Sequence, residues 1–509
     1  MTASISVVVV ANNAEATLRQ ALASVAGQIL APTEVVLVDD ASTDATVKIA
    51  HSFADLLPIR VIEQVTPVGS AAAGDIGADA ATGDFVAVLD AADVWFPHHL
   101  YELKRALGED DATVTASYFN WTPLAPVNPT PDTDPTVSTL RRRVLTAAAR
   151  ATGATATTVC KVPTMLRRVP GPPTVSVPRD QPRRTVSFVV PAYKAEDIIG
   201  PTLAGILTLN PLPDGSFPVD EVIVVDDCSP DKTSEIAARF SNHLPLRILR
   251  LDENSGVGVA RTTATDTVTT ELVVYADADD IVFPDHLDLM LAEYAPGKMV
   301  SARPFNWVVD GEDTTSVLPA SEQNAPDPAE QMDKILKFNF VFIGTLVDTE
   351  HFARVGAFGA LRKGEDWDAW IRMIRSGITS VQTAGLSVLY RVHASSSSHS
   401  SPYGLLDADL ALLESMLPDS DATERRLLKR SLRRRRAVHQ IVTARIVTES
   451  NGPMRGRLAF LKAAILDPTL FDFGKTLRTP LARGLGGVID PYRFGGAKRT
   501  ESPTQETTA

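Results

Sequence analysis

Cysteine is almost missing from this chain: its 509 residues include two, Cys160 and Cys228. Two thiols make neither a disulfide framework nor a zinc cluster, and the expectation for each is a small buried hydrophobe. Long apolar runs are lacking too. The first one, Ile5 to Ala11, has no basic residues ahead of it and is too short for a signal-peptide core or a membrane span, so a cytoplasmic location is expected. Positive charge is in deficit, at a net −13, which argues against nucleic acid as a partner. What remains, 44% apolar and 22% charged residues, suits a soluble globular protein of two or three domains.

The charge is unevenly spread. Between Glu424 and Arg499 cationic residues outnumber acidic ones by 18 to 5, and Arg425 to Arg436 (RRLLKRSLRRRR) holds most of the excess. Leu428, Leu432, Val438, Val442 and Ile446 recur near the helical period there, with Asp421 and Glu424 spaced as N-cap and N3 of a capping box. Two readings of this basic helix stand: a solvated face of a C-terminal helical subdomain, or a peripheral dock onto anionic lipid headgroups at the inner membrane face. The amphipathic stretch Arg457 to Arg483 would assist the second.

Two short β-branched runs end in carboxylates, Val222 to Asp227 (VIVVDD) and Val273 to Asp280 (VVYADADD). Buried parallel strands opening at their C-terminal ends into a ligand crevice read this way. Asp277, Asp279 and Asp280 repel one another, so a cation carrying phosphate is the economical reason for their clustering. The same pattern occurs earlier, as Val35 to Asp40 (VVLVDD) and Val86 to Asp93 (VAVLDAAD), at a constant offset of 187 residues. The chain is therefore a duplication. Ser6 pairs with Ser187 at an offset of 181, because the second copy carries an insertion around Pro213 to Pro218. Phe119-Asn120-Trp121 pairs with Phe305-Asn306-Trp307, and Arg168-Val169 with Arg354-Val355, at 186, after which the first copy is expected to stop.

Strand and helix patterns alternate in each copy, which implies right-handed βαβ units and a mostly parallel sheet. The expected layout is a degenerate, non-catalytic half-domain over 1–170, a Pro/Arg-rich linker over 171–185 and a catalytic domain over 186–400. A basic helical region over 401–490 and a disordered tail over 491–509 follow.

In order, the second copy reads VSFVVPAYKAED (Val186 to Asp197), VIVVDDCSPD, NSGVGVART (Asn254 to Thr262), VVYADADD, GEDWDAWIR (Gly364 to Arg372) and YRVH (Tyr390 to His393). This succession resembles the family 2 glycosyltransferases of GT-A fold. The resemblance implies two tandem Rossmann-like GT-A domains and an inverting transfer of sugar from a nucleotide-sugar donor (UDP-, GDP- or dTDP-linked) to a glycan or lipid-linked hydroxyl. By the same resemblance Asp279 is the direct ligand of Mn²⁺ or Mg²⁺, Asp277 lies nearer the ribose and metal shell, and His393 supplies a late metal or diphosphate ligand. Asp366 is the catalytic base with Glu365 beside it. Asp227 accepts from the base edge, and Pro191, Ala192 and Tyr193 form the base-stacking wall. Arg261 reaches base or phosphate. Trp367 and Trp370 either wall the acceptor pocket or pack in the core, and the serine run Ser395 to Ser398 reads as a lid. A hard, oxygen-liganded cation suits these groups better than zinc.

The first copy keeps Asp39, Asp40, Asp90 and Asp93, but Ala92 stands for Asp279, Gly74 for Arg261, Asn12 for Tyr193 and Val10 for Pro191. Two alternatives are weighed for the whole chain. A sugar-phosphate nucleotidyltransferase needs a glycine-rich loop after its first strand, and Pro191 to Asp197 has no glycine. A non-catalytic nucleotide-sugar or glycan-binding scaffold has no use for a base at Asp366.

Overall fold

The computed structural model describes residues 4–106, 113–121, 132–133, 139–142, 157–168, 183–310, 313–320, 325–393 and 402–451. Linker residues 171–182, the serine run, the stretch 457–483 and the tail lie outside these residues.

The first copy contributes β1 (Ile5–Ala11), β2 (Glu34–Asp39), β3 (Ile59–Glu63), β4 (Phe85–Asp90), β5 (Val94–Trp95), β6 (Thr113–Trp121), β7 (Asp132–Thr133), β8 (Thr139–Arg142) and β9 (Thr157–Arg168). The second contributes β10 (Val186–Ala192), β11 (Glu221–Asp226), β12 (Leu246–Arg250), β13 (Leu272–Tyr275), β14 (Ile281–Val282), β15 (Lys298–Asp310), β16 (Asp313–Pro319), β17 (Thr345–Asp348) and β18 (Thr379–Val392). Each set forms a nine-stranded sheet, and the two orders are the same: β3-β2-β1-β4-β8-β6-β9-β5 with β7 paired to β6 beside it, and β12-β11-β10-β13-β17-β15-β18-β14 with β16 paired to β15. β1, β2, β3 and β4 are mutually parallel, as expected of strands joined through crossover helices, while β8 enters antiparallel to β4. Val7, Val8 and Val9 are wholly buried, as are Val222 to Val225, because helices cover both faces of this half of each sheet.

One expectation is overturned. The first copy does not stop short, and it is a half-domain in no topological sense. Leu166 in β9 pairs with Val94 just as Leu389 in β18 pairs with Ile281. His99 meets Thr164 Oγ1 at 2.9 Å, as His286 meets Ser387 Oγ at 3.0 Å. Arg168 is therefore the counterpart of Arg391 rather than of Arg354. Its amide donates to Asp93 Oδ1 at 2.9 Å, as that of Arg391 donates to Asp280 Oδ1 at 3.4 Å. What the first copy lacks is internal. Residues 143–156 connect β8 to β9, where the second copy has residues 349–378 and within them the helix Glu365–Arg375.

The copies pack on one another with matching surfaces. Helix Leu18–Ala26 lies against its own counterpart, helix Ile199–Leu207, and one continuous apolar core runs through both. Phe96 stacks on Phe283, its equivalent, at 5.6 Å between ring centres. Asp55 bonds Asn242, its own equivalent, at 2.8 Å and His243 at 2.7 Å. Such self-pairing is the mark of a two-fold, isologous interface, built here within one chain.

The C-terminal helices are Pro402–Ser415 and Ala422–Asn451, whose Leu412, Leu413, Leu428 and Leu432 share an apolar core with Trp367 and Trp370 of helix Glu365–Arg375. Asp421 Oδ1 accepts from the amides of Thr423 and Glu424, both at 2.8 Å, so the N-cap is present. Glu424 does not complete a capping box. It pairs with Arg375 at 2.5 Å. Leu428, Leu432 and Ala437 are buried, whereas Arg426, Lys429, Arg430 and Arg433 lie exposed along one outer stripe. Among the described residues no helix is long and apolar enough to cross a membrane.

Candidate active site

The crevice opens at the C-terminal ends of β10, β11 and β13. Asp227, one residue past β11, takes the amides of Ser255 and Gly256 on its two oxygens at 2.7 and 2.8 Å. Gly256 stands at φ +94°, a conformation that costs glycine nothing and other residues dearly, and it opens the helix Val257–Thr265. Asp40 does the same in the first copy, bonding the amides of Val68 and Gly69 at 2.6 and 2.9 Å with Gly69 at φ +87°. Both oxygens of the expected base-edge acceptor are thus engaged in ordering a loop.

Arg261, on that helix, is 3% exposed and holds two carboxylates. One guanidinium nitrogen donates to Glu365 Oε1 at 2.8 Å and the other binds Asp277 Oδ1. The ring of Phe358 lies 5.0 Å from the guanidinium. Arg261 is therefore a brace between the acidic strand end and helix Glu365–Arg375, rather than a group reaching outward for base or phosphate. Gly258 permits this closeness. A Cβ there would sit 3.0 Å from Leu361 O and 3.1 Å from the Glu365 side chain.

At the N-terminus of helix Glu365–Arg375, where partial positive charge suits acids, Asp366 accepts from Asn339 Nδ2 at 2.8 Å. Burial, then the neighbouring Glu365 charge, pushes its carboxyl up to about 7. A base with that proton affinity is matched to neutral solution. Burial also raises Asp277, and raises Asp280 well above the carboxylate range, with Asp279 adding repulsion to both.

Asp279 Oδ2 lies 3.3 Å from His393 Nε2, which joins the ends of two distant segments. Mg²⁺ and Mn²⁺ take hard oxygen donors, and Mg²⁺ commonly uses one or two protein carboxylates and completes its shell with substrate phosphate. Asp279 with His393, next to an acid cluster whose Asp280 Oδ2 has no hydrogen-bond partner, fits such a cation. Among the described residues no three His, Cys, Asp or Glu side chains form a self-sufficient metal cage.

The stacking wall is smaller than expected. Pro191 and Ala192 are buried strand residues, whereas Tyr193 stands 44% exposed at the strand end with Lys194 Nζ 5.3 Å from its ring. Trp367 and Trp370 are core, not pocket wall. Trp367 donates its ring N–H to Ile335 O at 2.7 Å under the guanidinium of Arg435, and Trp370 stacks on Phe352. Their spacing puts both on the buried face of an amphipathic helix. Asn339 went unread, since a lone asparagine in an apolar loop carries no sequence signal. Arg168 had one: RRVP at 167–170 against YRVH at 390–393, hidden by the shorter connection.

Residues 6–166 and 187–347 each match the model of "Glycosyl transferase family 2", together more than half of the chain. The putative teichuronic acid biosynthesis glycosyltransferase TuaG of Bacillus subtilis strain 168 is 26% identical over 196 residues, 38% of this chain and 74% of TuaG. Poly(ribitol-phosphate) β-N-acetylglucosaminyltransferase TarS of Staphylococcus aureus strain Mu50 is 37% identical over 99 residues, 19% of this chain and 16% of TarS. A crystal structure of S. aureus TarS 1–349 with UDP-GlcNAc aligns over 55% of this chain and 79% of that one, with 18% identity and a TM-score of 0.40. The chain belongs to glycosyl transferase family 2 and is a glycosyltransferase.

Proposed function

We propose that the second copy alone performs the transfer, moving a sugar from a nucleotide-sugar donor to a hydroxyl acceptor with inversion. The observation that carries this reading is Arg261, whose two ion pairs draw Asp277 and the Glu365–Asp366 pair to one crevice. Asp366 takes the acceptor hydroxyl's proton, held in place by Asn339 and kept basic by burial and Glu365. Asp279 and His393 hold Mn²⁺ or Mg²⁺. When bound, that cation offsets the charge growing on the departing nucleoside diphosphate. Tyr193 offers a face for the base, and Asp227 keeps the adjoining loop in shape.

The first copy is non-catalytic. It has Ala92 in place of Asp279, and residues 143–156 contain no acid that could replace Asp366. The names of TuaG and TarS point to an envelope polysaccharide or lipid-linked glycan as acceptor. The exposed stripe Arg426, Lys429, Arg430 and Arg433 suits anionic headgroups at the inner face of the cell membrane. Hydrolysis of a panel of UDP-, GDP- and dTDP-sugars with Mn²⁺ or Mg²⁺ tests the reading. Activity lost in Asp279→Ala and Asp366→Asn supports it, and wild type inert across donors and acceptors rejects it.

A further inference from the structure

Trp307, in β15 of the second copy, is met by groups from both copies. The His98 ring of the first copy stacks on it, 5.0 Å between ring centres and 27° between planes. The guanidinium of Arg391 in β18 sits 5.2 Å from its centroid. Its edge is fixed as well. Trp307 Nε1 donates to Thr314 Oγ1 at 3.0 Å, and the Thr314 amide donates to Glu102 Oε1 of the first copy at 2.8 Å. His98, Glu102, Trp307 and Thr314 are all nearly or wholly buried. Arg391 in turn bonds Asp280 through its amide, feels the charge of Asp279, and lies two residues before His393.

We propose that the first copy positions the active site of the second through this clamp: His98 and Glu102 hold Trp307, Trp307 holds Arg391, and Arg391 sets the strand end carrying His393. The inference rests on the reading of Asp279 and His393 as the diphosphate and metal end of the crevice. Internal asymmetry supports it. The residues equivalent to His98 and Glu102 in the second copy are Asp285 and Leu289, so the ring that stacks on Trp307 and the carboxylate that takes the Thr314 amide are replaced at the equivalent positions, and Asp285 instead brings its charge to Arg168. A degenerate domain with no chemistry of its own has reason to persist if it completes this wall. Cation–π contact and ring stacking are both attractive at buried sites, enough to bias a strand end between ordered and frayed.

The test uses the full chain with His98→Ala, His98→Phe, Glu102→Leu and Glu102→Gln. Hydrogen exchange over 386–393 is expected to quicken in His98→Ala and Glu102→Leu, with exchange over 272–275 unchanged. His98→Phe, which keeps a flat ring, and Glu102→Gln, which keeps the acceptor, should restore protection. Titration with UDP and with GDP, each with Mn²⁺, should show affinity about tenfold weaker in the first two variants and near wild type in the conservative pair. Unchanged exchange at 386–393 in His98→Ala overturns the clamp whatever the nucleotide result. Wild type that binds, Asp279→Ala that does not, and His98→Ala that binds like wild type reject the positioning role while leaving the site reading intact. Wild type that binds neither nucleotide rejects the site reading, and exchange then decides the clamp alone.

Discussion

The two copies share what the fold needs and differ in what the chemistry needs. Both place a left-handed residue at two strand ends, Asn13 and Ala41 in one, Lys194 and Cys228 in the other. Both order the following loop with an aspartate on two amides, and both seat a buried histidine against a hydroxyl of the last long strand. Asp40 and Asp227 therefore persist for backbone reasons. Asp279, Arg261 and the helix bearing Glu365 and Asp366 occur once. In the first copy Arg168 donates to Ala92 O at 3.2 Å. The copies thus differ in one carboxylate and in the length of one connection while their strand orders remain the same.

That contrast is open to attack by substitution. The largest effect belongs to the acids: Asp279→Ala and Asp366→Asn should each lower donor turnover by about a thousandfold, and Ala92→Asp should rescue neither, as read by released nucleotide. Next comes Arg261→Gly, which copies Gly74 into the second domain and strands Asp277 and Glu365 without their cation. A loss of about 3–5 kcal/mol in denaturant unfolding is expected, against little change for Gly74→Arg. Asp40→Ala and Asp227→Ala should cost similar amounts, about 1–3 kcal/mol each, since both remove two amide bonds. Unequal costs would mean that Asp227 does more than order its loop.

The smallest effect has the opposite sign. Because the Asp366 carboxyl is raised to about 7 in the folded chain and titrates lower when unfolded, its contribution to stability is full in acid and is lost as pH climbs through neutrality. Asparagine does not titrate. Asp366→Asn should therefore melt about 2–4 °C higher than wild type at pH 8, with the gap closing near pH 4. A gap that widened in acid would contradict the burial of this carboxyl.

Strands, duplication and acidic clusters were legible because each is a local pattern. A Val-rich run ending in Asp-Asp needs only a few residues to announce itself, and the offset of 187 repeats it. The role expected of Glu365 and Asp366 came from the family resemblance of GEDWDAWIR and not from a local pattern, and its tryptophans were ambiguous, since composition does not say which face meets a core. The first copy's last strand was misread because a shortened connection shifted the offset by an amount no local rule supplies.

By itself, then, the sequence determined which segments become strands, that the chain holds two related sheets, and which acids cluster, all consequences of side-chain alternation and charge over short spans. Only the tertiary structure decided that Arg261 braces rather than reaches, that Asn339 meets Asp366, and that Trp307 meets both His98 and Arg391. The pairs Arg261–Glu365, Asn339–Asp366, His98–Trp307 and Trp307–Arg391 join residues 27 to 209 positions apart, and contact at such separation is set by how sheets and helices pack, not by spacing along the chain.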